Sequence, residues 1–282
     1  MKNKGNLYIL ITAFLWSLGG IFIKLIPINP IAINGIRSLV ALIFFFIYEK
    51  NCKIKINKMV ILASICLVGT NTLYVVANKL TTAANAIILE YTAPIFVLIY
   101  TSILTKRLPS KARTGIILLA FIGMVLFFFD QMDEGQLLGN VLAIISGMFF
   151  AGVFFFNSFE ESSSPDASKL AFLISFIISI PFFNDLHLLT LPSVASLIAL
   201  GVFQVGLAYV FFSKGIKKTN PINSSLISLV EALLNPIWVL IFIGEKPSLY
   251  ALIGSVIVLI AIILNILLDN KISKEENNLI NY

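Results

Sequence analysis

Three side chains that carry full charge, Arg37, Glu90 and Glu231, stand inside long apolar runs of this 282-residue chain. Facing lipid, such a group costs about 2.5–3.5 kcal/mol on an insertion scale, so each must face a cavity or a partner. The acids occur in "ILEYTAP" (Ile88 to Pro94) and "LVEALLNP" (Leu229 to Pro236), each followed within a few residues by a proline. In low dielectric a carboxylate favours its protonated form, and a bound cation or ammonium group favours the ionised one. One buried acid can therefore exchange a proton for cargo. Arg37 presents a planar fork of donors suited to a substrate carboxylate or to a structural ion pair, with Glu90 a candidate partner.

Polar residues recur beside these charges at helical spacing. Ser224, Ser228, Glu231, Asn235 and Trp238 follow one another at intervals of 4, 3, 4 and 3, which predicts one stripe on a continuous helix. Asn71, Tyr74 and Asn78 form a second stripe, suited to helix–helix hydrogen bonds as well as to a ligand. Asn34, Arg37 and Ala41 share a third face, and Trp16 and Gln204 complete the expected lining. Pro236 frees the Ala232 carbonyl and Pro94 that of Glu90, because proline has no N–H to return to the residue four earlier. Both prolines are expected kinks.

The elements that must hold these residues follow from composition. The chain is 59% hydrophobic and 12% charged, with a mean hydropathy of +0.98, too apolar to coat a soluble globule of this size. Ten apolar segments match the ~20 helical residues that cross a hydrocarbon core. Their limits are 7–26, 30–48, 59–78, 82–104, 112–129, 137–157, 168–183, 193–213, 220–243 and 248–268. None alternates in polarity as a barrel strand would, so the expected class is an all-α polytopic membrane protein. The first segment lacks a small-residue cleavage pattern and reads as a retained span.

Charge orients the segments. With the N-terminus in the cytoplasm, 16 of the 20 basic residues fall inside and only Lys24, Lys79 and Lys246 outside, beside an acidic loop of Asp130, Asp133 and Glu134. This bias predicts both termini cytoplasmic and a multi-pass protein of the plasma membrane. The net charge of +6 then reflects topology and contact with anionic lipid, and implies no nucleic-acid partner. Cys52 and Cys66 are too few for a disulfide framework or metal cluster, and the single His187 lies in a loop. No phosphate-binding G-x-x-x-x-G-K loop occurs, so neither ATP nor another cofactor is expected. No serine–histidine pair lies within a span, so an enzyme of the intramembrane protease kind is not expected either.

The chain also repeats itself. "GNLYILITAFLWSLGG" (Gly5 to Gly20) resembles "GNVLAIISGMFFAGVF" (Gly139 to Phe154) at an offset of 134, pairing Thr12 with Ser146 and Trp16 with Phe150. At nearly the same offset "AANAIIL" (Ala83 to Leu89) lies over "PINSSLI" (Pro221 to Ile227), pairing Asn85 with Asn223. Five spans per repeat is odd, so the second enters from the opposite side, giving two inverted five-helix repeats. The polar stretch 158–169 is read as a cytoplasmic linker between a first unit, 1–157, and a second, 170–282, that ends in a short cytoplasmic tail.

These patterns resemble the EamA-like branch of the drug/metabolite transporter superfamily. The residues that carry the resemblance are "LWSLGGIFIK" and "RSLVAL" in the first half, "YTAPIFVLIYTSILTKRLP" in segment four, and "LISLVEALLNPIWVLIFIGEKPSLYALIGSVIVLIAIIL" at the end. Lys106 stands where members often carry Glu, and Pro236 follows Glu231 a turn later than is usual. The resemblance implies a secondary transporter, working as a monomer or homodimer, that exports a small polar, amino-acid-like metabolite. Efflux of lipophilic or quaternary cations is the alternative. The acids in the spans leave room for proton coupling.

Overall fold

The computed structural model describes residues 2–19, 26–81, 83–131, 137–243 and 248–280, and every regular element among them is helical. Helix α1 spans Lys2–Ser17, α2 Pro30–Glu49 and α3 Lys58–Leu80. Helix α4 comes in two pieces, Ala83–Glu90 and Ala93–Thr105, followed by α5 at Lys111–Phe127 and α6 at Leu137–Ser158. Helix α7, Ser164–Ser179, runs on as a 3₁₀ stretch, Ile180–Leu188. Helix α8 covers Leu191–Ile216 with a π-helical middle at Leu200–Leu207. Helix α9 is again in two pieces, Pro221–Ser228 and Val230–Ile243, and α10 extends over Leu249–Ile280.

All ten apolar segments are thus helical where described, and among the described residues seven helices are long and apolar enough to cross a membrane. Those seven are α2, α3, α4, α6, α7, α8 and α10. The described part of α1 has 16 residues, α5 has 17, and α9 is interrupted, which sets these three apart by length rather than by polarity. Ile47, Ile103, Ile122, Ile241 and Leu267 lie exposed along the helices. In water this would be an untenable surface, and in a bilayer it is the lipid face.

Helix starts follow from local chemistry. Asn29, Asn57, Ser110, Ser163, Thr190 and Asn220 each accept a backbone N–H of the first turn, satisfying a donor that has no intrahelical partner. Ser163 followed by Pro165 and Asp166 begins α7 at Ser164, so the stretch expected as a linker to residue 169 becomes helix six residues early. Lys169 is consequently no surface charge. Its Nζ is buried against Glu49 Oε2 at 2.6 Å, Asp166 Oδ1 at 2.8 Å and the Lys53 carbonyl at 3.0 Å, tying the end of α2 to the start of α7.

Contacts in one half recur in the other. Helix α3 packs on α6 as α8 packs on α1; α2 packs on α8 as α7 packs on α3; α4 lies on α6 as α9 lies on α1. The pairs α2–α7 and α5–α10 map onto themselves. Single atoms obey the same correspondence. Thr81 Oγ1 donates to Asn140 Oδ1 at 2.7 Å, and Thr219 Oγ1 to Asn6 Oδ1 at 2.7 Å. A Cβ on Gly139 would lie 2.7 Å from the Leu80 carbonyl carbon, and one on Gly5 would lie 2.7 Å from that of Lys218. Both helix starts therefore need glycine to approach the turn that leads into α4 or α9. Thr12 and Ser146, paired in sequence, reach the backbone carbonyls of Ala208 and Thr70 at 3.3 and 3.1 Å.

Candidate functional site

The two interrupted helices bring the acids to the interior. In α4 the interruption falls at Tyr91 and Thr92, where Pro94 sits in the first turn of the second piece and cannot donate to the Glu90 carbonyl. Helix α6 closes on this point: a Cβ on Gly147 would lie 2.7 Å from the Glu90 carbonyl oxygen and 2.8 Å from Thr92 Oγ1. The neighbouring Ser146 hydroxyl is then 2.9 Å from Glu90 Oε1. In α9 the interruption falls at Leu229, with Leu229 N donating to the Leu226 carbonyl and Ala232 N to the Leu229 carbonyl, one tight turn on each side.

Glu231 follows that turn. It shares a hydrogen bond with Tyr91, so the residue next to Glu90 in α4 reaches across to the acid of α9. Glu90 and Glu231 lie within electrostatic reach of each other, and Arg37 within reach of Glu231, Tyr209 and Tyr74. Arg37 is held in place from two helices. Its Nε and Nη2 donate to Asn34 Oδ1 at 3.1 and 2.8 Å, and Nη1 donates to Gln204 Oε1 at 3.1 Å. The expected Arg37–Glu90 pair is replaced by this arrangement, in which the guanidinium acts on Glu231 and Glu90 meets a neutral hydroxyl. Gln204 belongs to the π-helical stretch of α8, a local widening of the kind that collects at functional sites. Arg37, Tyr74, Glu90, Gln204 and Glu231 are all half-buried.

Asn71 joins Tyr74 on the half-buried face of α3. Trp16 is buried in an aromatic cluster, with ring centroids 5.4 Å from Tyr209 and 6.0 Å from both Phe150 and Phe212. It forms the wall behind Tyr209. Trp238 turns to α1, where its Nε1 donates to Ser17 Oγ at 2.9 Å and its ring meets Phe14 edge-on. The α9 stripe is not continuous, because the turn at Leu229 separates Ser224 and Ser228 from Glu231. Both serines are buried and donate to their own helix, at the Asn220 and Ser225 carbonyls. The side chains of Asn78, Asn235 and Pro236 lie outside the described residues. Tyr91, Ser146 and Tyr209 were not among the sequence candidates, whereas Asn34 shared the expected face of Arg37. For Ser146 the signal was its repeat pairing with Thr12; Tyr91 and Tyr209 have the composition of ordinary apolar helix.

Cys66 faces elsewhere. With Tyr100, Met148, Phe149 and Phe156 it borders an apolar recess of about 450 Å³ on the outer side of α6, away from the charged groups. Among the described residues no group of three or more His, Cys, Asp or Glu is placed to hold a metal ion.

Comparison with known proteins agrees with this architecture. The model of the EamA-like transporter family matches twice, over residues 3–129 and again over 137–267. An uncharacterized transporter of Archaeoglobus fulgidus is 25% identical over 284 residues, covering 94% of this chain and 98% of that one. A second uncharacterized transporter of the same organism is 29% identical over 164 residues, 57% of this chain and 51% of its own. A crystal structure superposes with a TM-score of 0.81 at 15% identity, over 95% of this chain and 99% of the other, a likeness of fold.

Proposed function

The chain belongs to the EamA-like transporter family, and from that premise we propose that it is a proton-coupled secondary transporter exporting a small polar, amino-acid-like metabolite by alternating access. The observation that carries this reading is the joining of Glu90, Tyr91 and Glu231 across the two helix interruptions, with Arg37 beside them. Interrupted helices facing each other between repeats are where secondary transporters bind cargo, because freed backbone groups and charges are tolerated only around a cavity. The acids suit an ammonium group and the Arg37 fork suits a carboxylate. A zwitterion satisfies both. The excess of two acids over one arginine, beside the aromatic wall of Trp16, Tyr209 and Phe212, favours a lipophilic cation as the second reading.

The architecture belonging to this proposal is ten spans in two inverted five-helix repeats. The double family match and the paired contacts of Thr81–Asn140 and Thr219–Asn6 support it. On this reading the halves divide within residues 130–136, ahead of the 158–169 stretch suggested by polarity, because α6 occupies in the second half the place of α1 in the first. Both termini are cytoplasmic, in the plasma membrane. Reporter fusions after Tyr282 and within Ser162 to Ser164 are expected to read cytoplasm and a fusion at Met132, outside the described residues, the exterior. A cytoplasmic reading at Met132 would remove the ten-span arrangement.

The experiment that tests the site is ligand binding by Arg37→Lys. Lysine keeps the charge but loses the fork, and with it the simultaneous bonds to Asn34 and Gln204. Thermal-shift titration of purified protein with amino acids is expected to show binding weakened roughly tenfold or more, as for loss of a charged hydrogen bond of about 1.5–3 kcal/mol, in a protein that still purifies as a monodisperse species. Undiminished binding would take Arg37 out of the site.

A further inference from the structure

The recess beside Cys66 lies between α3, α4 and α6 and opens to the lipid face, where Ile103, Leu104 and Met148 are exposed. Gly152 gives it depth, because a Cβ there would lie 2.4 Å from Cys66 Sγ, and Phe149, Phe155 and Phe156 wall it. Tyr100 gives its hydroxyl proton to the Met148 carbonyl at 3.1 Å, so the wall offers water too few partners to stay. Left empty, the lining would forfeit dispersion contacts, and in a bilayer the filling at hand is hydrocarbon. Toward the C-terminal end of α6 the recess meets a second cavity of about 400 Å³, and Leu104 and Phe155 line both. Thr101, Ser158, Glu160 and Glu161 border this second cavity, so an apolar trough ends in a polar mouth. From Ile145 to Ser158 the trough follows about 20 Å of helix, a little more than the ~15 Å of hydrocarbon in one leaflet. Lys217 stands at the mouth, in the field of Glu160 and Glu161, with its Nζ donating to the Phe159 carbonyl. One lysine against two acids leaves a carboxylate over.

We propose that this trough is a lipid site, seating one acyl chain of a phospholipid with a primary ammonium headgroup, phosphatidylethanolamine, in the leaflet beside the α6–α7 turn. The chain lies along α6 from the mouth toward Ile145, Glu160 and Glu161 meet the ammonium, and Lys217 meets the phosphate. Charge decides the class of lipid. Elsewhere the loops on this side are basic, as at Lys53, Lys55, Lys58, Lys106 and Arg107, and invite anionic headgroups. At the mouth two carboxylates repel a head that carries negative charge alone, whereas an ammonium donates charge-assisted hydrogen bonds to them. The choline of phosphatidylcholine has no N–H to give. A chain held here touches α3, the second piece of α4 and α6 together, and so braces the α4 piece that follows the Tyr91–Thr92 interruption. On the topology proposed above this is the cytoplasmic leaflet, and the site is independent of cargo and coupling.

Photolabelling tests the site directly. Purified full-length protein is reconstituted in phosphatidylcholine vesicles containing a phosphatidylethanolamine with a diazirine on its acyl chain, irradiated, digested and analysed by mass spectrometry. Adducts are expected on the peptides carrying Ile103 and Leu104 and Ile145 to Phe156, severalfold above the peptide carrying Leu252, Val256 and Ile263, which are exposed along α10. Excess unlabelled phosphatidylethanolamine is expected to displace the label, and phosphatidylglycerol to need about tenfold more, as for loss of one charged hydrogen bond. Glu160→Gln combined with Glu161→Gln is expected to erase that difference. Met148→Trp fills the trough from its lipid-exposed rim and is expected to remove most of the label in a protein that still purifies as a monodisperse species. Labelling spread evenly over α6 and α10, equal displacement by the two lipids in the unmutated protein, or a difference that persists in the glutamine variant overturns the assignment. So does full labelling of a folded Met148→Trp variant. Displacement by dodecylamine where excess phosphatidylethanolamine has no effect would overturn it in favour of a site for free amphiphilic cations.

Discussion

Glu231→Gln is expected to abolish transport while leaving the bundle folded. Glutamine nearly preserves the shape of the side chain and can still accept the Tyr91 hydroxyl, so the turn at Leu229 and the packing of α9 on α1 have no reason to change. What disappears is the anion that Arg37 faces and that a cationic group of the cargo would meet. Removing one partner of a buried charged contact costs about 2–5 kcal/mol, so exchange is expected to fall by roughly a hundredfold or more, in a protein that still folds and purifies as a monodisperse species. Proteoliposome exchange with fluorescence-monitored unfolding separates the two effects. Transport of ordinary rate and ordinary pH response in a folded Glu231→Gln variant would reduce Glu231 to a polar residue of the packing.

Lys169→Met is expected to have the opposite character, a loss of stability at a distance from the site. The Lys169 side chain is 2% exposed and serves Glu49, Asp166 and a backbone carbonyl together, with Asp166 also accepting Ser163 Oγ at 2.7 Å. Methionine fills similar volume but leaves two acids, one of them 10% exposed, without their cation. Breaking a buried ion pair from one side costs about 3–5 kcal/mol, whereas replacing all its members by apolar groups is often close to neutral. The single variant should therefore unfold at a clearly lower temperature, and Lys169→Met combined with Asp166→Asn and Glu49→Gln should recover much of the loss. No change in the single variant would show that the cluster is solvated and contributes little.

Sequence reasoning reached the bundle because a bilayer imposes a length and a polarity on each segment. It reached Glu90, Glu231 and Arg37 for the same reason: a charge in an apolar run stands out. The α4 interruption was legible through Pro94. The α9 interruption was not, since "SLIS" and "VEA" on either side of Leu229 are unremarkable helix formers, and Pro236 lies further along. Its position comes from packing, which is why Ser224 and Ser228 appeared to share a face with Glu231 and do not. Lys169 read as one more cytoplasmic charge because its partner Glu49 is 120 residues away in the chain, a separation that no local pattern reveals. Tyr91 was passed over because an aromatic in a span is most often core. Only the bond across to α9 distinguishes it.

The measurement that bears most directly on the proposed function is uptake of a labelled amino-acid mixture into proteoliposomes loaded at acid pH, with empty liposomes and Glu231→Gln as controls. A proton-coupled exchanger of zwitterions will accumulate label in the unmutated protein, lose that accumulation when an uncoupler collapses the pH gradient, and show none with Glu231→Gln. Label at the level of empty liposomes, or accumulation indifferent to both the uncoupler and the substitution, would contradict it.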